Sequence, residues 1–426
     1  MKEYTQLSRT ELEEELAALK KQYEEFKELG LSLDMTRGKP SPAQLDMTDS
    51  LFDGLCEDTH FRAADGSDCR NYCCPTGLKE AKELFAGILK TDPDRIFIGN
   101  SSSLNLMFDA LMRAMVFGEH DSDAPWSAVE GRKWLCVVPG YDRHFRITEK
   151  LGFELVNVPI RDDGPDMDLV EELVLDEKVK GMWCVPCYSN PDGVVYSEEV
   201  CRRLASMKTG AKDFRIFWDN AYCVHHLYDD VQGSVPDILA IAEECGNPSR
   251  FYEFASTSKI TFAGAGLACF ATNGENMAHA KPIIGAQTIC SDKVNQLAHV
   301  HFLKDVSGVR TQMSHHAAIL RPKFEAALSI LDTELTGLGI ADWRKPLGGY
   351  FISVFVYPGT ADRVVSLCKD LGVAFTPAGA TYPYGKDPDN SNIRLAPSFP
   401  AIGDIEKAVK VFALCVKIAA LEKISA

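Results

Sequence analysis

The sequence predicts an α/β protein: a three-layer large domain built on a mostly parallel sheet, joined to a smaller α+β domain. Three observations predict it. From about residue 77 to residue 272, short apolar runs alternate with helical stretches, as strands covered on both faces by helices require. Past about residue 305 a long helical segment leads into a different texture of short strands and helices. The 426 residues are too many for one small core and suit one large domain plus a smaller one.

Each element has its own signal. Ser8 stands three residues before Glu11, a capping box that opens an amphipathic helix running to about Gly30. The following "DMTRGKPSPAQLDM" is rich in Pro and Gly and reads as a loop. Then come helix "LKEAKELFAGIL", strand "RIFIG", helix "LNLMFDALMRAMV" and strand "KWLCVVPG". The runs "FELVNVPI", "VKGMWCVPCY", "FRIFWDN", "RFYEFAS" and "GLACFAT" are further strands of the same sheet. The segment "RTQMSHHAAILRPKFEAALSILDTEL" is a long helix, after which "GGYFISVFVY", "VAFTPA" and "NIRLA" read as strands of a second unit, with "ADRVVSLCKDLG" and the last segment as helices. The predicted division is a large domain over residues 51–305, with residues 1–50 and 306–426 forming the small domain.

Composition narrows the function. Asp and Glu number 61 against 45 Lys and Arg, a net charge of −16, which argues against nucleic acid or an anionic membrane as partner. The N-terminus is charged and helical, without the apolar core of a signal peptide, and no apolar run approaches the roughly 18 residues of a membrane helix. Fourteen cysteines lack the rhythm of a disulfide scaffold, so thiols in a reducing, cytoplasmic setting are expected. Cys184 and Cys187 form a C-x-x-C inside an apolar run with no second pair, and Cys69, Cys73 and Cys74 have no better claim to a site. His225–His226 and His315–His316 are adjacent and so do not share a helix face; no metal is expected.

The chemistry lies where the strands stop. "RIFIG" is followed by Asn100 and then Ser101, Ser102 and Ser103 at a helix start, an anion site or simply an N-cap. "KWLCVV" leads to Tyr141, "GMWCVPCY" to a turn holding Asn190, and "FRIFW" to Asp219 with Tyr222 three residues on. An acid at the tip of an apolar strand is desolvated, paired with a cation, or an N-cap for the next helix. "RFYEFA" leads to Ser256, Ser258 and Lys259. Five polar loops along one sheet edge, where such folds bind ligands, ask for a joint explanation. A phosphate nest, an aromatic plane, a buried acid and a desolvated lysine are what pyridoxal phosphate chemistry uses. The lysine amine condenses with the aldehyde as a Schiff base, and the acid keeps the pyridine nitrogen protonated.

In order and spacing, "GNSSSL", "PGYDRHF", "SNPDGV", "DNAY" and "STSK" resemble the signature of the fold-type I, class I pyridoxal-phosphate aminotransferases, and the likeness spans nearly the whole chain. The resemblance implies pyridoxal 5'-phosphate as cofactor, with Lys259 as its anchor and proton carrier, Asp219 on the pyridinium, Tyr222 and Asn190 on the ring oxygen, and Tyr141 stacked on the ring. It assigns Ser101, Ser102, Ser103, Ser256 and Ser258 to the phosphate and Arg394 to the substrate α-carboxylate. Gly38 falls in the loop that closes over substrate. Tyr72 matches a tyrosine that reaches the neighbouring subunit's phosphate, so a homodimer with shared active sites is implied.

One position departs from the pattern. The family commonly carries an arginine facing the phosphate where this chain has Leu267, so other groups must compensate. Together with "TRGKPS" and "NSNIRLAPSFP", this form resembles a divergent bacterial branch of aspartate aminotransferases, related to the aminotransferase domain of pyridoxal-binding transcription regulators. The residues ahead of "NYCCPTG" supply one acidic helix and a loop, not the DNA-binding domain that a regulator needs. The implied reaction takes L-aspartate and 2-oxoglutarate to oxaloacetate and L-glutamate, small amino and 2-oxo acids. Arg37, Lys39 and Arg143 are candidates for the distal carboxylate. An aminotransferase of another specificity (aromatic, 2-aminoadipate or alanine–glyoxylate) or a carbon–sulfur β-lyase would share the same core residues.

Overall fold

Parallel strands buried on both faces carry the structure, a computed structural model that describes residues 2–426. In chain order the first elements are α1 (Arg9–Glu28), β1 (Leu33–Asp34), α2 (Pro42–Asp46), α3 (Lys79–Leu89), β2 (Ile96–Ile98), α4 (Ser103–Phe117), β3 (Lys133–Val138), α5 (Asp142–Lys150) and β4 (Glu154–Pro159). There follow α6 (Met167–Leu173), β5 (Val179–Cys184), α7 (Glu198–Ser206), β6 (Arg215–Asp219), α8 (Ile238–Glu244), β7 (Phe251–Ser256), β8 (Ala268–Ala271), α9 (Gly274–Gln287) and α10 (Lys293–Leu303). The last are α11 (Val306–Leu335), β9 (Ala341–Trp343), β10 (Ile352–Val356), α12 (Ala361–Asp370), β11 (Val373–Ala374), β12 (Asn392–Leu395) and α13 (Ile402–Ile424).

Seven strands form the central sheet in the order β2-β8-β7-β6-β5-β3-β4. Only β8 runs against the others in this sheet. The carboxyl ends of β2, β3, β5, β6 and β7 therefore lie along one edge, where the five polar loops were expected. Side chains alternate between two hydrophobic clusters, as the period of two along a strand dictates. Trp134, Cys136, Trp183, Phe217 and Phe254 face one cluster; Leu135, Val137, Met182, Cys184, Ile216 and Trp218 face the other. On the first face Trp134, Trp183 and Phe217 meet edge-to-face or tilted at centroid separations of 5.2–5.3 Å, and Phe217 stacks on Phe254 at 5.4 Å. Such contacts add to the burial of large apolar rings.

The N- and C-terminal parts are joined by pairing. β1 lies parallel to β11, with Leu33 opposite Val373, and β12-β10-β9 make a separate antiparallel sheet. Helix α1 starts at the expected capping box: Ser8 Oγ accepts from the Glu11 N–H at 3.3 Å, and the Ser8 N–H donates to Glu11 Oε2 at 2.7 Å. It packs on α13, whose Val409, Phe412 and Val416 are buried. The stretch from Asp34 to Met47, expected to be loop, departs from that expectation. It contains Asp34 of β1, which forms because β11 offers a parallel edge, and α2, whose capping box joins Ser41 and Gln44 with Pro42 in the first turn. The three-residue β9, paired with β10, was not foreseen either, since so short a run shows no alternation.

Gly181 sits at the centre of β5 because the Trp134 ring lies over it. A Cβ there would come 2.3 Å from Trp134 Cη2 and 2.7 Å from the Arg215 carbonyl oxygen, neither of which can withdraw from the core. Gly181→Ala is expected to destabilise the protein by about 1–3 kcal/mol, read as a lower urea midpoint; an unchanged midpoint would show that the Trp134 ring has room to shift.

Candidate active site

The loop after β6 begins at Asp219, which is 5% exposed. Asp219 Oδ2 lies 3.0 Å from His144 Nε2. His144 stands on the first turn of α5 and stacks on Trp183 at 4.3 Å with 12° between the rings. Asp219 Oδ1 is buried and makes no hydrogen bond. A buried carboxylate oxygen without a partner is costly, so this atom is an acceptor that no donor among the described residues satisfies. A protonated ring nitrogen supplies such a donor, and on this observation the residues fit pyridoxal phosphate.

Lys259 lies in the turn after β7, half-buried, with Nζ 4.7 Å from the centre of the Tyr222 ring. Tyr222 is buried, and burial, reinforced by Asp219, pushes its hydroxyl well above the ordinary range. Burial likewise lifts Tyr141 to about 12, against the opposing charge of Lys259. Both phenols therefore keep their protons at neutral pH and face the site as donors. Behind Tyr222 lie His225 and Tyr350, with ring centres 5.6 and 6.0 Å away. Neither nitrogen of His225 has a hydrogen-bond partner, and burial followed by the charge of Lys259 keeps that imidazole neutral.

The serines converge from two loops. Ser258 Oγ donates to the Ser101 carbonyl at 3.2 Å and Ser256 Oγ to Ser258 Oγ at 3.3 Å. Ser102 is the N-cap residue of α4, but its side chain makes no capping bond, and Ser103 begins the helix. The first N–H groups of α4 are thus left to an outside acceptor. Gly266 permits the approach of Ser258, since a Cβ there would lie 2.7 Å from Ser258 Oγ. Leu267 is buried, its N–H on Thr257 Oγ1 at 2.9 Å and its carbonyl accepting from the Thr257 N–H at 2.8 Å. The cleft beside Ser101 is lined by Asn100, Asp292 and Asn295, with no lysine or arginine among the described residues of its wall.

Arg394 projects from β12 and is 8% exposed. Its Nη1 lies 3.2 Å from Asn190 Oδ1 and 3.5 Å from Asp142 Oδ1, its Nε has no partner, and its guanidinium sits 4.7 Å over the Phe351 ring. Asn190 thus spends its oxygen on Arg394 and keeps its amide N–H groups free. Gly38 abuts the tip of the Phe351 ring, where a Cβ would come 2.4 Å from Cζ. The remaining candidates lie at the exposed margin of this cluster or beyond it. Tyr72 is 74% exposed, Arg37 is exposed, Lys39 Nζ lies 4.0 Å over the Phe399 ring, and Arg143 is half exposed with Nε 3.8 Å from Asp142 Oδ2. Cys184 and Cys187 are buried, with thiols raised by burial.

The sequence reading missed His144, Trp183, Asp142 and Phe351. His144 was within reach: it follows Tyr141 by three residues, less than one helical turn. Asp142 and Phe351 carried no local signal, because their partner Arg394 is far along the chain.

Known proteins resemble the chain in sequence and in fold. A family model described as aspartate amino-transferase matches residues 7–426. An aspartate aminotransferase of Corynebacterium glutamicum is 50% identical over 404 residues, covering 95% of this chain and 93% of that protein. The crystal structure of an aspartate transaminase from Corynebacterium glutamicum superposes with a TM-score of 0.96 at 48% identity, covering 99% of both chains. The α-aminoadipate aminotransferase LysN of Thermus thermophilus, solved with N-(5'-phosphopyridoxyl)-L-leucine, has a TM-score of 0.73 at 19% identity over 92% of this chain and 93% of its own, a likeness of fold alone.

Beneath the site, Asn220 Nδ2 donates to Glu253 Oε1 at 3.0 Å, and Glu253 is fully buried with Oε2 unpartnered. Burial lifts this carboxyl from 4.5 to about 8, against the Asn220 hydrogen bond. The folded state holds the proton where the unfolded chain has released it. The resulting stability is complete below the unfolded value and is lost as pH rises towards the folded one. Wild type is therefore expected to lose more of its urea midpoint than Glu253→Gln between about pH 5 and about pH 8.5; parallel losses would show that Glu253 is ionised in the fold.

Proposed function

The chain belongs to the aspartate amino-transferase family, and on that premise we propose that it transfers the amino group of L-aspartate to 2-oxoglutarate, giving oxaloacetate and L-glutamate. The enzyme is a pyridoxal 5'-phosphate-dependent aminotransferase. The observation that carries the reading is the bare, buried oxygen of Asp219, whose charge acts on the same Tyr222 that Lys259 approaches; the 50% identical aspartate aminotransferase supports the choice of substrate.

When bound, the cofactor supplies an aldehyde that receives the amino group and a ring that draws electrons from the substrate Cα. Lys259 holds it through its amine, and the same nitrogen afterwards carries the proton to and from Cα. Asp219 Oδ1 accepts from the ring N–H, while His144 holds Oδ2 and so fixes which oxygen is presented. The Tyr222 hydroxyl and the free amide N–H of Asn190 would donate to the cofactor's ring oxygen, and Tyr141 would pack against its ring. Ser101, Ser102, Ser103, Ser256 and Ser258, with the first N–H groups of α4, bind the phosphate and replace the charge absent at Leu267 by hydrogen bonds. Arg394 takes the α-carboxylate through Nε and Nη groups. Gly38 and Arg37 are assigned to substrate binding, with Lys39 and Arg143 as further candidates for the distal carboxylate.

The domain and subunit arrangement is part of the proposal. Residues 51–305 form the large domain, and residues 1–50 with 306–426 the small one, a division that the pairing of β1 with β11 supports. Tyr72, exposed in one chain, serves the phosphate of a second chain, so that two active sites are shared in a homodimer. No helix among the described residues is long and apolar enough to cross a membrane, and the thiols suit a cytoplasmic setting.

The test is a half-reaction followed by absorption. Mixed with L-aspartate alone, the yellow cofactor-loaded protein is expected to lose its visible band as the pyridoxamine form accumulates, and 2-oxoglutarate should restore the band. Conversion by an aromatic or longer amino acid and not by aspartate would contradict the substrate. Pyruvate and ammonia released from cystathionine without loss of the band would contradict transamination.

A further inference from the structure

Building on that function, we propose that Asp142 is a resident competitor for the substrate's carboxylates, standing in for them at two arginines while the site is free. Its two oxygens face two different guanidiniums. Oδ1 lies 3.5 Å from Arg394 Nη1 and Oδ2 lies 3.8 Å from Arg143 Nε. Both separations exceed the roughly 2.7–2.9 Å of a strong charge-assisted hydrogen bond, so Asp142 shares its one negative charge between the two without locking either. Among the described residues it is the one acid within ion-pair distance of Arg394.

Physical need and local structure both support the role. A guanidinium as buried as Arg394 is costly without a counter-charge, and before substrate arrives Asp142 provides it. The buried Nε of Arg394 has no partner of its own, so one donor remains unused for a carboxylate that enters the site. Asp142 is the first residue of α5, at the positive end of a nine-residue helix. Displaced from the arginines, it keeps a favourable place beside the helix N-terminus, so the exchange of one carboxylate for another costs little. A substrate must therefore outcompete Asp142, which weakens ground-state binding without touching the reacting atoms. Such an effect raises KM and leaves kcat largely unchanged.

The test uses the cofactor-loaded enzyme and compares wild type, Asp142→Asn and Asp142→Glu. Succinate, a dicarboxylate that cannot react, is titrated against the visible band, and KM and kcat are measured with the amino donor. Asp142→Asn is expected to lower both the succinate dissociation constant and KM by roughly threefold to tenfold, with little change in kcat. Asp142→Glu, which keeps the charge, should remain near wild type. Weaker succinate binding and a raised KM in Asp142→Asn would mean that Asp142 props Arg394 in place, and the proposal falls; unchanged values in both variants overturn it as well. An enzyme that ignores aspartate but converts another amino acid loses only the proposed substrate. The same comparison with that donor, which shares the α-carboxylate, then decides the role of Asp142.

Discussion

The site depends on one carboxylate held in unequal halves. Asp219 ends a strand that is buried on both faces, so its charge has no access to bulk water. His144 satisfies one oxygen and is itself fixed by stacking on Trp183, leaving the other oxygen bare. Such an arrangement is unstable as an end in itself, since an apolar residue of similar size would avoid the desolvation. It makes sense when a ring N–H completes it. The aromatic packing of Trp134, Trp183 and Phe217 under the sheet edge is therefore also the support of the chemistry, because it sets the plane in which His144 lies.

The parallel topology explains why the other groups meet at the same place. Parallel strands bring their carboxyl ends to one edge, and the chain can satisfy backbone and polar groups only beyond those ends. Ser101, Tyr141, Asn190, Tyr222 and Lys259 each follow a different strand, yet none needs a long loop to reach its neighbours. The arginine arrives from the separate sheet β12-β10-β9, and its contacts with Asn190 and Asp142 tie that sheet to the central one.

Much of this was legible from the residues, for physical reasons. Strands apolar on both faces leave long readable runs, and the polar residue that ends each run marks the site edge. What pairs across long distances in sequence was not legible: Phe351 between Gly38 and Arg394, or Asp142 against Arg394, since no local periodicity records them. The stretch from Asp34 to Met47 shows a different failure. Its Pro and Gly content outweighed a capping box at Ser41 and Gln44 that the same rules would have recognised, and β1 owes its form to β11 rather than to its own two residues. At Leu267 the sequence departs from the family's arginine. The structure adds why the position tolerates an apolar residue: the side chain is buried, while Ser258 reaches the Ser101 carbonyl with Gly266 making room.

Lys259, and no other lysine, is expected to anchor the cofactor whose ring nitrogen Asp219 would accept from. Borohydride reduction of the cofactor-loaded protein, with peptide mass spectrometry as the readout, tests it most directly. The account predicts a single phosphopyridoxyl group on the peptide that contains Lys259. A label on another lysine, or none despite bound cofactor, would contradict it.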